Sequence, residues 1–84
     1  MQGQNQTQEN IEVLAKFSRN KILPLAFRYR ERTVKIKSIN LKYSFKSGAV
    51  DIYVFNVSGP SGSYQITYDS LLLNWTLEEF SEVE

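Results

Sequence analysis

The chain has 84 residues, ten Lys or Arg against nine Asp or Glu, and neither cysteine nor histidine. No disulfide or thiolate site can staple it, and the commonest metal ligand and usual base near neutral pH are both missing. One small domain must then be held by its apolar core, to which five Phe, five Tyr and one Trp are the bulkiest contributors.

Residues 1–10 are polar, Gln/Asn-rich and aperiodic, and are expected to form a flexible tail. Ile11, Val13, Ala15 and Phe17 alternate with Glu12 and Lys16, which predicts a strand. A short helix running from Thr7 is the competing reading of residues 7–17. "SRNK" reads as a turn and "ILPLAFRY" as a second strand, in which Pro24 must lie at an edge, a strand start or a bulge because it has no amide donor. "RERT" is the next turn. Val34 and Ile36 then point one way and Lys35 and Lys37 the other, after which Ile39, Leu41, Tyr43 and Phe45 are grouped on one face. This phase change near Ser38 predicts a β-bulge or a strong bend.

"KSGA" is a turn, and "VDIYVFNV" is apolar on both faces, as a central covered strand should be. "SGPSGS" is a loop, "YQITYD" alternates, "SLLL" turns, and "LNWTLEEF" returns with Leu73, Trp75 and Leu77 together. The sum is an all-β fold: a small, strongly bent antiparallel meander of about six strands closing into an SH3-like or related barrel. A roll with a helical N-terminal segment is the alternative. The single domain spans 11–80, followed by an acidic tail at 81–84. Its expected core is Phe17, Phe27, Val34, Ile36, Ile52, Val54, Ile66, Trp75 and Leu77.

Little here points to catalysis. Ser58, Ser61, Ser63 and Ser70 have no histidine to activate them. Asp51 and Asp69 stand at strand ends, where aspartates make turns. Glu78 and Glu79 are adjacent and should face opposite ways on a strand. No D-x-D-x-D loop or phosphate loop is present. The chain is therefore read as a non-enzyme with no catalytic, metal or cofactor residues. There is no apolar run of eighteen residues and no signal-like N-terminus, so a cytoplasmic protein with no membrane partner is expected. The N-x-S/T triplets at Asn5, Asn56 and Asn74 are then chance matches.

Charge is the most informative pattern. All ten basic residues lie between Lys16 and Lys46, with Glu31 the one acid among them, so that window carries +9 and the rest of the chain −8. One reading pairs acid with base across the sheet, with exposed lysines guarding its edges. The other gathers Arg28, Arg30, Lys35, Lys37 and Lys42 into a basic face for the phosphates of DNA or RNA, with Tyr29 or Tyr43 stacking on bases. A protein partner or a homodimer, joined through an exposed sheet edge, is the alternative to nucleic acid.

The segments "LPLAFRYRERTVKIKSIN", "DIYVFNV" and "GSYQITYDSLLLNWTLEEF" together resemble a small bacterial β domain of unknown function. Such domains run through a Pro, an aromatic strand, a basic R-x-Y/V-x-V strand, a Tyr/Phe-rich strand, Y-x-L-x-Y/F-D and a closing W-x-L. Similar domains stand alone or at the C-terminus of proteins resembling Y-family DNA polymerases. The resemblance covers residues 23–80, with Val34 where those domains often have an aromatic and with a longer middle loop. Its motifs are core and turn positions, so it implies fold, and only its polymerase context implies DNA.

Overall fold

A computed structural model of the chain describes residues 5–83. They form seven strands: β1 (Asn5–Ser18), β2 (Lys21–Tyr29), β3 (Arg32–Lys35), β4 (Ser38–Ser47), β5 (Val50–Ser58), β6 (Gly62–Asp69) and β7 (Asn74–Glu82). All neighbours are antiparallel, in one curled sheet of order β3-β2-β1-β7-β6-β5-β4. The expected strongly bent antiparallel sheet is what the chain forms, and residues 7–17 are strand rather than helix. The polar segment from Asn5 to Asn10 belongs to β1, opposite β7, instead of forming a tail. The first four residues of that expected tail lie outside the described residues. At the other end β7 extends to Glu82, so the first two residues of the expected acidic tail are also strand, and Glu84 lies outside the described residues.

Each turn has a local cause. Arg30 and Glu31 both take positive φ (50° and 65°), the mirror-image two-residue turn whose twist suits a hairpin. At the β6–β7 turn, Asp69 Oδ1 accepts hydrogen bonds from the amides of Leu71 and Leu72, each at 2.9 Å, and Leu73 is held at φ 58°. Pro24 sits beside a register shift between β1 and β2, the irregular position its missing donor requires.

The way the sheet closes decides where a ligand can enter. β3 and β4 are the two edges of the sheet, yet only Ile36 and Lys37 separate them. The Ile36 amide donates to Leu25 O (3.0 Å) on the β2 side, and the Lys37 amide donates to Ser58 O (2.7 Å) on the β5 side. Residues 32–47 thus run in one direction, pairing first with β2 and then with β5. The curled sheet is drawn together where they cross over. Gly59 packs there as well: a Cβ on it would lie 2.9 Å from Val34 Cγ1 and 3.2 Å from Lys35 O.

The core fills the inner face: Phe27, Tyr29, Val34, Phe55, Val57, Tyr64, Ile66, Tyr68, Trp75 and Leu77 form one cluster. Cross-strand rows such as Phe55–Ile66–Leu77 and Tyr53–Tyr68–Trp75 run through it. Of the core expected from sequence, Ile36 and Ile52 are only half-buried. Phe17 is 55% exposed and does not belong to the core. It lies one pair from the β1–β2 turn, opposite Ile22, beyond the reach of β3, so no strand closes over it.

Two further expectations fail at bulges. A register shift between Ile39 and Leu41 makes Asn40 the extra residue, leaving Ile39 with the inner-facing Val57 while Leu41 pairs with Asn56. Leu41, Tyr43 and Phe45 therefore part from Ile39 and stand exposed on the outer face. A second shift, between Gln65 and Ile66, makes Glu78 the extra residue of β7. Glu78 and Glu79 consequently line the same surface beside Gln65, and do not oppose one another.

Candidate nucleic-acid interface

Three of the ten bases are consumed by ion pairs. Arg30 meets Glu9 at 3.0 Å, Arg32 meets Glu82 at 2.9 Å, and Lys46 meets Asp51 at 2.8 Å. The hydrogen bonds to Glu9 and Asp51 raise the pKa of Arg30 and Lys46, respectively. Arg30 and Arg32 also lie over the Tyr29 ring, 5.0 and 5.8 Å from its centre.

The five sequence-predicted contact residues do not form one face. Arg28 and Lys35 share the outer face of β2 and β3, in the rows Arg28–Thr33 and Ala26–Lys35, but Glu12 of β1 stands directly opposite Arg28. Arg30 is tied to Glu9. Lys37 occupies the link between β3 and β4. Lys42 lies in the row of Phe55, on the inner side of the opposite edge. Arg28, Lys35, Lys37 and Lys42 have no ion-pair partner among the described residues.

A different set of residues does converge. β3 pairs with β2 only over Ala26–Tyr29, and Leu25 O is taken by Ile36, so β2 is unpaired on that side from Lys21 to Pro24. β4 is paired on one side only. Between these two free edges the curled sheet stays open, and a depression of about 530 Å³ remains. Lys21 and Lys42 line it together with Phe17, Tyr53 and Phe55, Tyr43 borders it with its ring on the outer face, and no carboxylate lines it. Phe17 and Tyr43 are each at least half exposed. The Phe17 ring is braced edge-on against Tyr68, centre to centre 5.5 Å, so a large apolar surface is presented in a fixed pose.

Of this constellation the sequence reading found Lys42 and Tyr43 and missed Lys21, Phe17 and Tyr53. A signal was present at the hairpin tip, where Phe17 sits between Lys16 and the basic turn Arg19-Asn20-Lys21. Its alternation with Ile11, Val13 and Ala15 made it look like core.

Among the described residues no group of three or more His, Cys, Asp or Glu could hold a metal ion, and no helix is long and apolar enough to cross a membrane. Glu78 accepts a hydrogen bond from Thr67 at 3.0 Å. Comparison with protein-family models, curated proteins and solved structures finds no match for this chain. Nothing in those comparisons links it to domains associated with Y-family polymerases.

Proposed function

We propose that the domain is a non-catalytic binding module that holds single-stranded nucleic acid, weakly and with little sequence preference, in the opening between β2 and β4. The observation that carries this reading is the lining: two lysines without ion-pair partners among the described residues, and the aromatic side chains of Phe17, Tyr53 and Phe55, with no acid among them. Phosphates need cations that are not already neutralised, and bases need exposed ring faces, which tolerate any sequence because every base can stack. Lys21 and Lys42 supply the first, while Phe17, beside Tyr53, supplies the second. An opening set between two strand edges and bordered by an exposed ring suits an unpaired strand, whose bases are free to stack, better than a duplex.

So few phosphate contacts correspond to dissociation constants of roughly 10⁻⁴ to 10⁻⁶ M at physiological salt. The test is a fluorescence-anisotropy titration with single-stranded and duplex oligonucleotides across a range of salt concentrations. Lys21→Glu/Lys42→Glu should abolish binding, and Phe17→Ala should weaken it by about 1–3 kcal/mol per stacked base. Arg28→Glu/Lys35→Glu, on the outer face, should change little. Absence of binding at low salt, or equal losses from the inner and outer pairs, would refute this site. Binding of an extended peptide through the backbone of β4 would instead be nearly indifferent to salt.

A further inference from the structure

A long free strand edge invites another strand, and folded proteins normally blunt such edges with proline, brevity, charge or cover. This sheet applies those devices unevenly. The free part of β2 contains Pro24. β3 is only four residues long, and Gly59 packs against its Val34 and Lys35. β4 has ten residues, contains no proline and packs against β5 alone. Its outer face exposes Leu41, Tyr43 and Phe45 to 57%, 50% and 50%. Its lysines do not guard that face. Lys42 is turned inward, and Lys46 is held by Asp51.

We infer that β4 pairs with β4 of a second copy of this chain, antiparallel, with Tyr43 on the two-fold axis. The choice of partner and register follows from the strand itself. A two-fold axis perpendicular to the sheet keeps outer residues with outer ones, so the axis must pass through a residue position. Centred on residue 42, the pairing sets Lys42 against its own copy. Centred on residue 44, it sets Lys42 against Lys46 twice. Centred on residue 43, it sets Tyr43 against Tyr43, Leu41 against Phe45, and Lys42 against Ser44, with no like charges opposed. Apolar residues then meet only apolar ones on the outer face. From Leu41 to Ser47 the strand keeps an unbroken register with β5, so this stretch is regular enough to template a partner. The inference does not depend on the nucleic-acid reading, and it is tested with no oligonucleotide present.

The chain contains no cysteine, so an introduced one can pair only with its copy. Directly opposed residues of an antiparallel pair have Cα atoms about 4.5–5.5 Å apart, within disulfide range. Under mild oxidation Tyr43→Cys should give a covalent dimer of twice 9.7 kDa. Leu41→Cys alone should not, whereas the double variant Leu41→Cys/Phe45→Cys should. Sedimentation of the unmodified chain should show a mass that rises toward the dimer with concentration. Tyr43→Lys and Tyr43→Glu should each sediment as monomers and should associate when mixed. Disulfide formation at Leu41→Cys equal to that at Tyr43→Cys, a strictly monomeric parent chain, or failure of the mixed variants to associate would overturn the inference.

Discussion

Removal of the Glu82 carboxylate should unlatch the end of β7 and cost more than its partly exposed position suggests. Glu82 Oε2 accepts a hydrogen bond from the Tyr64 hydroxyl at 2.6 Å and one from Arg32 at 2.9 Å. Arg32 is half exposed, and such pairs contribute only about 0–1 kcal/mol. Tyr64 is 2% exposed, and its ring packs against Phe27 and Phe80. In Glu82→Ala its buried hydroxyl loses its acceptor, at a cost of about 1–3 kcal/mol. A loss of about 2 kcal/mol is large for a domain of 84 residues, whose total should be roughly 4–13 kcal/mol, and it should lower Tm by about 8–16 °C. Urea denaturation of Glu82→Ala, Tyr64→Phe and the double variant should give a coupling of about 1.5–3 kcal/mol, the range for hydrogen bonds to charged groups. Coupling below about 0.5 kcal/mol would refute the argument. The same bond sets both pH limbs. The Tyr64 hydroxyl and then Arg32 hold the Glu82 carboxyl below its usual range against some desolvation, so its contribution is full above the ordinary carboxylate pKa and is lost as pH falls through the lowered value. Burial, and then the bond to Glu82, raise the Tyr64 pKa above 10, so its contribution is full below that value and fades as pH rises through the raised one. Glu82→Gln should flatten the acid limb and Tyr64→Phe the alkaline limb.

Two backbone positions give independent checks. Gly62 pairs with Glu82, and a Cβ there would overlap Ser81 O, so Gly62→Ala must push β7 away from β6. The cost should exceed about 2 kcal/mol, and the variant should lose the Glu82 acid limb in a pH series of thermal melts. Leu73 sits at φ 58° with its side chain 70% exposed, so Leu73→Gly should relieve strain while removing no packing. A gain of up to about 1 kcal/mol in urea denaturation is expected, and a destabilised variant would show that the leucine is held by contacts.

The turns were legible in the sequence because their residues act locally. The Gly-, Ser- and Asn-containing breaks fall where the chain reverses, and Asp69 caps its turn without help from distant residues. The inner faces of β6 and β7 were legible because Tyr64, Ile66, Tyr68, Trp75 and Leu77 bury one alternate set. β5, in contrast, is apolar on both faces, so the expected Ile52 and Val54 lie outward while Tyr53, Phe55 and Val57 turn inward. Positions where the deciding partner is remote were not. The start of β1 reads as a polar tail because it is held by backbone pairing with β7, which leaves no apolar signature. The bulge at Asn40 is invisible to alternation, since Ile39 and Leu41 are two apart whether or not they share a face. The site was legible only through Lys42 and Tyr43, because the opening exists where β3 leaves β2, and no local pattern records that.

The polarised charge of the sequence acquires a spatial meaning once strand order is known. The two sequence readings, internal neutralisation and a free basic surface, each describe part of the sheet. Ion pairs form where basic strands meet acidic ones: Arg30 with Glu9 of β1, Arg32 with Glu82 of β7, and Lys46 with Asp51 of β5. Away from those seams Arg28 stands opposite Glu12, while Lys21 and Lys42 line the opening with no acid beside them. Residues 32–47 carry this division. Their first half, paired with β2, brings Arg32 to the acidic end of β7, while their second half, paired with β5, carries Lys42 to the side facing Lys21. Two lysines that line one opening without an ion-pair partner among the described residues add nothing to the stability of the fold. Their positions on facing edges, beside rings that the core leaves uncovered, are what the proposed binding of an anionic strand rests on.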